Sequence, residues 1–162
     1  MCGRVVVAMD FESLAAIAQT NISEIRNLHK FRQSFNLAPG SYLPTFFSKQ
    51  SSSMKSSNNS NQDQELIQKP HNKEKYILEA VKWGTKNKDN YSIVNARSET
   101  VTLYYSNWKR CVIIIDGYYE WRKIYSKADN DKVIDNQPYF IHSKEKNYLL
   151  LGGVCKDSEV KY

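Results

Sequence analysis

Apolar positions along this chain fall into two spacings, and each spacing predicts a different element. Near the N-terminus the run "CGRVVVAM" reads as a strand. Asp10 then stands where a helix N-cap is wanted, and Phe11, Leu14, Ala15, Ile17 and Ala18 recur at helical spacing behind it. "TNISEIRNLHKF" predicts a second helical turn or two, with Ser23 as a candidate cap and Ile22, Ile25 and Leu28 as an apolar stripe. Pro39 and Gly40 of "FNLAPG" end that pattern. "SYLPTFF" reads as a strand that Pro44 places at a sheet edge. Four later stretches, "KYILEAVKW", "CVIIID", "QPYFIHS" and "NYLLLGGV", read as strands, with "GYYEW" following the second across a Gly turn. "CVIIID" is apolar on both faces, which predicts a central, fully buried strand.

Two stretches break the pattern. Residues 48–75, "SKQSSSMKSSNNSNQDQELIQKPHNKEK", are too polar to bury a core and read as a low-complexity, disordered insertion. Residues 122–136 read as a polar loop joining two strands. The 162 residues otherwise make one domain, mostly β with one or two helices.

Charge and cysteine usage narrow the function classes. Lys and Arg number 23 against 17 Asp and Glu, a net charge of +6 that suits a polyanionic partner. No run approaches the roughly 20 apolar residues of a bilayer span, and no secretory signal is visible, so the expectation is a soluble intracellular protein with no membrane partner. Cys2, Cys111 and Cys155 are odd in number and show no C-x-x-C spacing, and His29, His71 and His142 show no paired-ligand spacing. Neither a disulfide framework nor a metal site is expected, and no cofactor.

The opening "MCGR" carries the most specific chemistry. Removal of Met1 would leave an α-amine and a thiol on one residue, with reference pKa values of about 7.7–8.0 and about 8.5, so both are nucleophilic near neutrality. Such a 1,2-aminothiol condenses with an aldehyde to an imine, and the thiol then closes a thiazolidine ring. For a basic protein the matching aldehyde is the ring-opened sugar of an abasic site in DNA, brought in through phosphate contacts.

"MCGR", "FNLAPG" (35–40), "VKWG" (81–84), "VNARSET" (94–100), "RCVIIIDGYYEW" (110–121) and "QPYFI" (137–141) follow one another in order. Together they resemble the SRAP family, the SOS-response-associated peptidases, over nearly the whole chain outside the polar inserts. The resemblance implies an α+β fold, a mixed, strongly bent β-sheet or open barrel with flanking helices, in a single domain. It implies autocatalytic removal of Met1, a hydrolase-type step, and lyase-like covalent capture of abasic sites in single-stranded DNA, within DNA repair. On the matching residues, Cys2 is the nucleophile, Asn95 orients the amine and Glu120 is the acid/base. Arg4, Asn36 and Arg97 become DNA-contact or site-shaping residues, and Trp121 a surface for a nucleotide. The types suit the roles: a carboxylate can exchange protons with a carbinolamine, an amide can hold a neutral amine, and a guanidinium can clamp a phosphate.

The chain also departs from the family pattern. The family runs on to an H-x-R-M-P-type motif whose histidine assists catalysis, and none of the three histidines here aligns with it, so the domain is read as C-terminally incomplete. A hydrophobic wedge segment usual after "VKWG" is replaced by "TKNKDN", and only "VTLYYSNW" separates "SET" from "KRCV". Capture through Cys2 is expected to survive, with crosslink reversal the step most affected. The alternative is a non-catalytic single-stranded DNA-binding module or an inactive truncated copy. Replication-fork partners and a nuclear location in a eukaryote follow from the function, and a monomer is expected.

Overall fold

The computed structural model describes residues 3–48, 76–87, 89, 90, 92–128 and 132–156. Cys2 and the insertion read over 48–75, apart from Ser48, lie outside the described residues.

The chain opens with β1 (Arg4–Val7) and α1 (Phe11–Ala18). Asp10 caps the helix as expected: its carboxylate accepts from the Ser13 N–H at 2.7 Å, satisfying one of the orphan donors of the first turn. The helical turn or two read from "TNISEIRNLHKF" form as two 3-10 turns, Ile22–Glu24 and Leu28–Lys30, which Ser23 does not cap and which do not join into one helix. The reason is tertiary. Arg26 forms a parallel bridge with Glu79, its N–H donating to the Leu78 carbonyl at 3.0 Å and its carbonyl accepting from the Ala80 N–H at 2.9 Å. Both backbone groups are thereby removed from any helical ladder, and Asn27 turns the chain at φ +55°.

β2 (Ser34–Leu37), β3 (Tyr42–Ser48), β4 (Tyr76–Lys82) and the short β5 (Thr85–Lys86) and β6 (Ser92–Ile93) follow. After one helical turn, α2 (Val101–Tyr104), come β7 (Lys109–Ile115), β8 (Gly117–Tyr125), β9 (Val133–His142) and β10 (Leu149–Cys155). The two larger sheets have the orders β2-β1-β8-β9 and β10-β7-β3-β4, and β5 pairs with β6. Their ladders are antiparallel, the Arg26–Glu79 bridge adding one parallel contact. Only Asp116 separates β7 in one sheet from β8 in the other, so the chain bends sharply there. Asp116 fixes the corner by accepting the Ala8 N–H at 2.7 Å and donating its own N–H to the Val6 carbonyl at 2.9 Å. The result is an α+β fold with bent, open sheets.

Pro44 lies in an interior strand rather than at the predicted edge. The β3–β7 ladder holds only Thr45↔Ile113 and Phe46↔Val112, so the N–H that Pro44 lacks falls just outside it. β7 is central, as its apolar run predicts, with Ile114 and Ile115 buried, but Val112 is 36% exposed and one face is not fully covered. The polar connection is shorter than the 122–136 read from composition, because ladder pairing carries β8 to Tyr125 and resumes at Val133. The core gathers Val5, Val7, Leu14, Phe31, Leu37, Leu43, Leu78, Ile114 and Ile115 between helix and sheets.

Candidate functional site

β8 carries two of the residues selected by sequence, and its register divides them between two faces. Val5 pairs with Tyr118, and both pack on the core side. A two-residue step along a strand returns to the same face, so Glu120 shares that inner side with Tyr118. Tyr119 and Trp121 point the other way. Tyr119 stands opposite both Arg4 and Phe140, so Arg4, Tyr119, Trp121, Phe140 and His142 share the outer face. Asn36 joins them: its side-chain oxygen accepts from the Arg4 guanidinium at 3.4 Å.

The outer face is an aromatic ladder with a cation at one side. Tyr119 lies 6.4 Å from Trp121 and 5.2 Å from Phe140 between ring centroids, and Phe140 stacks on His142 at 5.5 Å with an interplanar angle of 18°. Trp121 and Phe140 remain 44% and 45% exposed, so the rings are open to a ligand. Gly117 makes the ladder fit. A Cβ there would stand 2.5 Å from Phe140 Cζ and 2.6 Å from the Ile141 carbonyl, closer than any side chain allows.

Asn95 is positioned from the opposite direction, by the interlocking of "VKWG" with "VNARSET". The Trp83 indole donates to the Val94 carbonyl at 2.8 Å. Gly84 turns at φ +89°, and its missing side chain leaves room for Val94, whose Cγ1 would lie 3.1 Å from a Cβ. The adjacent Asn95 lines a cavity of about 240 Å³, together with Val5, Trp83, Tyr105, Trp108 and Cys111. Trp83 is thereby a packing residue. Since Val5 reaches the cavity from the face of β1 that matches Tyr118, Asn95 and Glu120 stand on the same side of that sheet. Arg97 is exposed in the following turn, its carbonyl accepting from the Thr100 N–H at 3.1 Å.

The structure thus brings Arg4, Asn36 and Trp121 to one outer face and sets Asn95 and Glu120 on the inner side, with Arg97 on its own turn. Sequence reasoning missed Tyr119, Phe140 and His142. Their signal was the period-2 alternation in "GYYEW" and "QPYFIH", which becomes a shared face only once β8 and β9 are known to pair.

Comparison with known proteins bears on this arrangement. The sequence profile of the SOS response associated peptidases (SRAP) matches residues 1–161. The chain belongs to the SRAP family. Among SRAP relatives, it is 28% identical over 128 residues to the abasic site processing protein HMCES of Xenopus tropicalis, an alignment covering 70% of this chain and 31% of that protein. In fold it is similar to a phage-related protein of Bordetella bronchiseptica, with a TM-score of 0.59 and 19% identity over 99% of this chain and 64% of that one. The chain spans well under half the length of the first relative and under two thirds of the second. Among the described residues no helix is long and apolar enough to cross a membrane.

Proposed function

We propose that this SRAP chain senses abasic sites in single-stranded DNA and captures them covalently through Cys2 once Met1 has been removed autocatalytically. The observation that carries the reading is the β1–β8 register. Arg4, the first residue of β1, is held opposite Tyr119, the residue before Glu120 on β8. Cys2 stands two residues before Arg4 in sequence. The name of the relative, an abasic site processing protein, fits the reaction of an aminothiol at "MCGR" with the aldehyde of an abasic sugar.

The chemistry divides between the faces. On the outer face, splayed bases stack on Trp121, Tyr119 and Phe140 while Arg4 takes a phosphate, a combination suited to single strands. A sugar held on that face is bound beside the start of β1, two residues after Cys2 in sequence. The amine adds to the aldehyde carbon to give a carbinolamine; Glu120 protonates the departing hydroxyl, water leaves, and the thiol adds to the imine carbon to close the ring. Asn95 holds the amine neutral by donating and accepting without charge. Arg97 adds a phosphate contact.

Incubation with a single-stranded oligonucleotide carrying one abasic site tests the reading. A denaturing gel is expected to show a slow-migrating adduct that Cys2→Ser abolishes and that Glu120→Gln slows by about 10²–10⁴-fold. Salt-sensitive binding without a denaturant-resistant adduct would instead establish a non-covalent binding module built on the same aromatic face.

A further inference from the structure

The cavity beside Asn95 is lined by two cysteines, Cys111 and Cys155. Cys111 on β7 stands opposite Gly153 on β10, and Cys155 stands opposite Lys109. The two cysteines are therefore diagonal neighbours on one face of the β7–β10 ladder, and both line the cavity with Trp83 and Trp108. Gly153 creates the space: a Cβ there would lie 3.0 Å from Cys111 Sγ, so the sulfur fills the volume that a side chain at 153 would need. Cys111 is buried, whereas Cys155 is half-buried, its Sγ 3.7 Å from the Lys156 carbonyl. A reagent entering the cavity meets Cys155 first and Cys111 second.

Two physical constraints select what this pair can hold. Diagonal cross-strand residues lie about 7–8 Å apart, beyond the roughly 4.4–6.8 Å between Cα atoms that a disulfide spans, so direct oxidation would require backbone movement. A bridging atom relaxes that demand. Burial, and secondarily the neighbouring Cys155, push the Cys111 thiol up to about 12, so the wall resists an anionic product. A bis-thiolate of a monovalent metal would carry a net negative charge, whereas that of a trivalent organoarsenical is neutral.

We propose that Cys111 and Cys155 form a dithiol site for trivalent organoarsenicals, held as a neutral bis-thiolate against the cavity wall. With a reagent R–As=O, two S–H bonds break and two As–S bonds form. The oxygen leaves as one water carrying both protons, and arsenic remains trivalent throughout.

The test uses phenylarsine oxide and the full chain bearing Cys2→Ser, which leaves only these two thiols. Intact-mass measurement is expected to show a single adduct of one reagent less one water. It should survive excess monothiol, be stripped by a dithiol such as dimercaptopropanol, and change the emission of Trp83 and Trp108. Cys155→Ala, with its fold checked by circular dichroism, is expected to lose monothiol resistance. An adduct that monothiol removes from the two-thiol chain, or one that persists in Cys155→Ala, overturns the proposal. So does a Cys111–Cys155 disulfide formed readily with hydrogen peroxide, because it would contradict the diagonal spacing.

Discussion

Strands β7 and β9 are both rich in apolar residues, yet they stand at opposite extremes of burial. β7 lies between β10 and β3, with Ile114 and Ile115 sealed in the core. β9 is the last strand of its sheet, and its residues from Val133 to Phe140 are all exposed, Ile134 at 60% among them. Apolar content makes each a strand, but its neighbours decide what the apolar surface does. In β7 it holds the fold together; in β9 and the adjoining β8 it remains exposed, on the sheet face that Trp121 shares with Arg4 of β1 and Asn36 of β2.

The comparison breaks most directly at the buried strand. Ile114→Ala should cost about 2–5 kcal/mol, read as a lower urea midpoint at unchanged slope, whereas Ile134→Ala on β9 should stay within about 0.5 kcal/mol. An equal loss at both sites would mean that β9 is covered in solution. Next comes the joint between platform and core: Gly117→Ala should cost about 1–3 kcal/mol by forcing Phe140 and the β9 backbone away, and should weaken DNA binding along with stability. Trp121→Ala sharpens the contrast by separating the two properties. Its thermal midpoint should barely move, while affinity for a single strand falls by about 1–3 kcal/mol if one base stacks on it.

A smaller effect distinguishes the buried strand by pH. The folded-state value of the Cys111 thiol, about 12, lies above its ordinary 9.0, so the unfolded chain ionises first. Its contribution is complete below about pH 9 and declines as pH rises toward about 12. Between pH 8 and about 10.5, Cys111→Ala should therefore lose less of its urea midpoint than the parent chain; equal losses would show that this thiol does not govern alkaline stability. The smallest effect is expected at the exposed helix start. Asp10 has its carboxyl held below the usual range by hydrogen bonds from Ser13, so Asp10→Ala should lower the melting temperature slightly at neutral pH, and the difference should vanish in acid as the carboxylate is protonated.

What could be read from sequence follows the range of the forces involved. The Asp10 cap and the helix behind it are local, a side chain meeting a backbone N–H three residues on, and "MDFESLAAIA" announces them. The strands were legible because apolar runs and turn residues punctuate them. The interruption between the two short helical turns was not, since Arg26 commits its backbone to a strand more than fifty residues away, and nothing within "SEIRNL" records that. Pro44 misled for the same reason: a missing donor is tolerated in an interior strand when one ladder stops just short of it. For the site, ordered motifs selected Asn95, Glu120, Arg4, Asn36, Arg97 and Trp121, but their division between faces depends on the pairing of β1 with β8 and β8 with β9. Chemistry can be read from residue types; sidedness is a property of the register.

Pro138, opposite Trp121 on β9, carries a consequence for solubility. Having no N–H, it cannot donate in a hydrogen-bonded pair, so its nitrogen faces away from β8 toward the free side of the strand. There it interrupts the row of donors that a ten-residue edge would otherwise offer to another chain. What remains on either side is too short to template a cross-β stack, so a single imino acid guards this exposed aromatic edge against fibril growth.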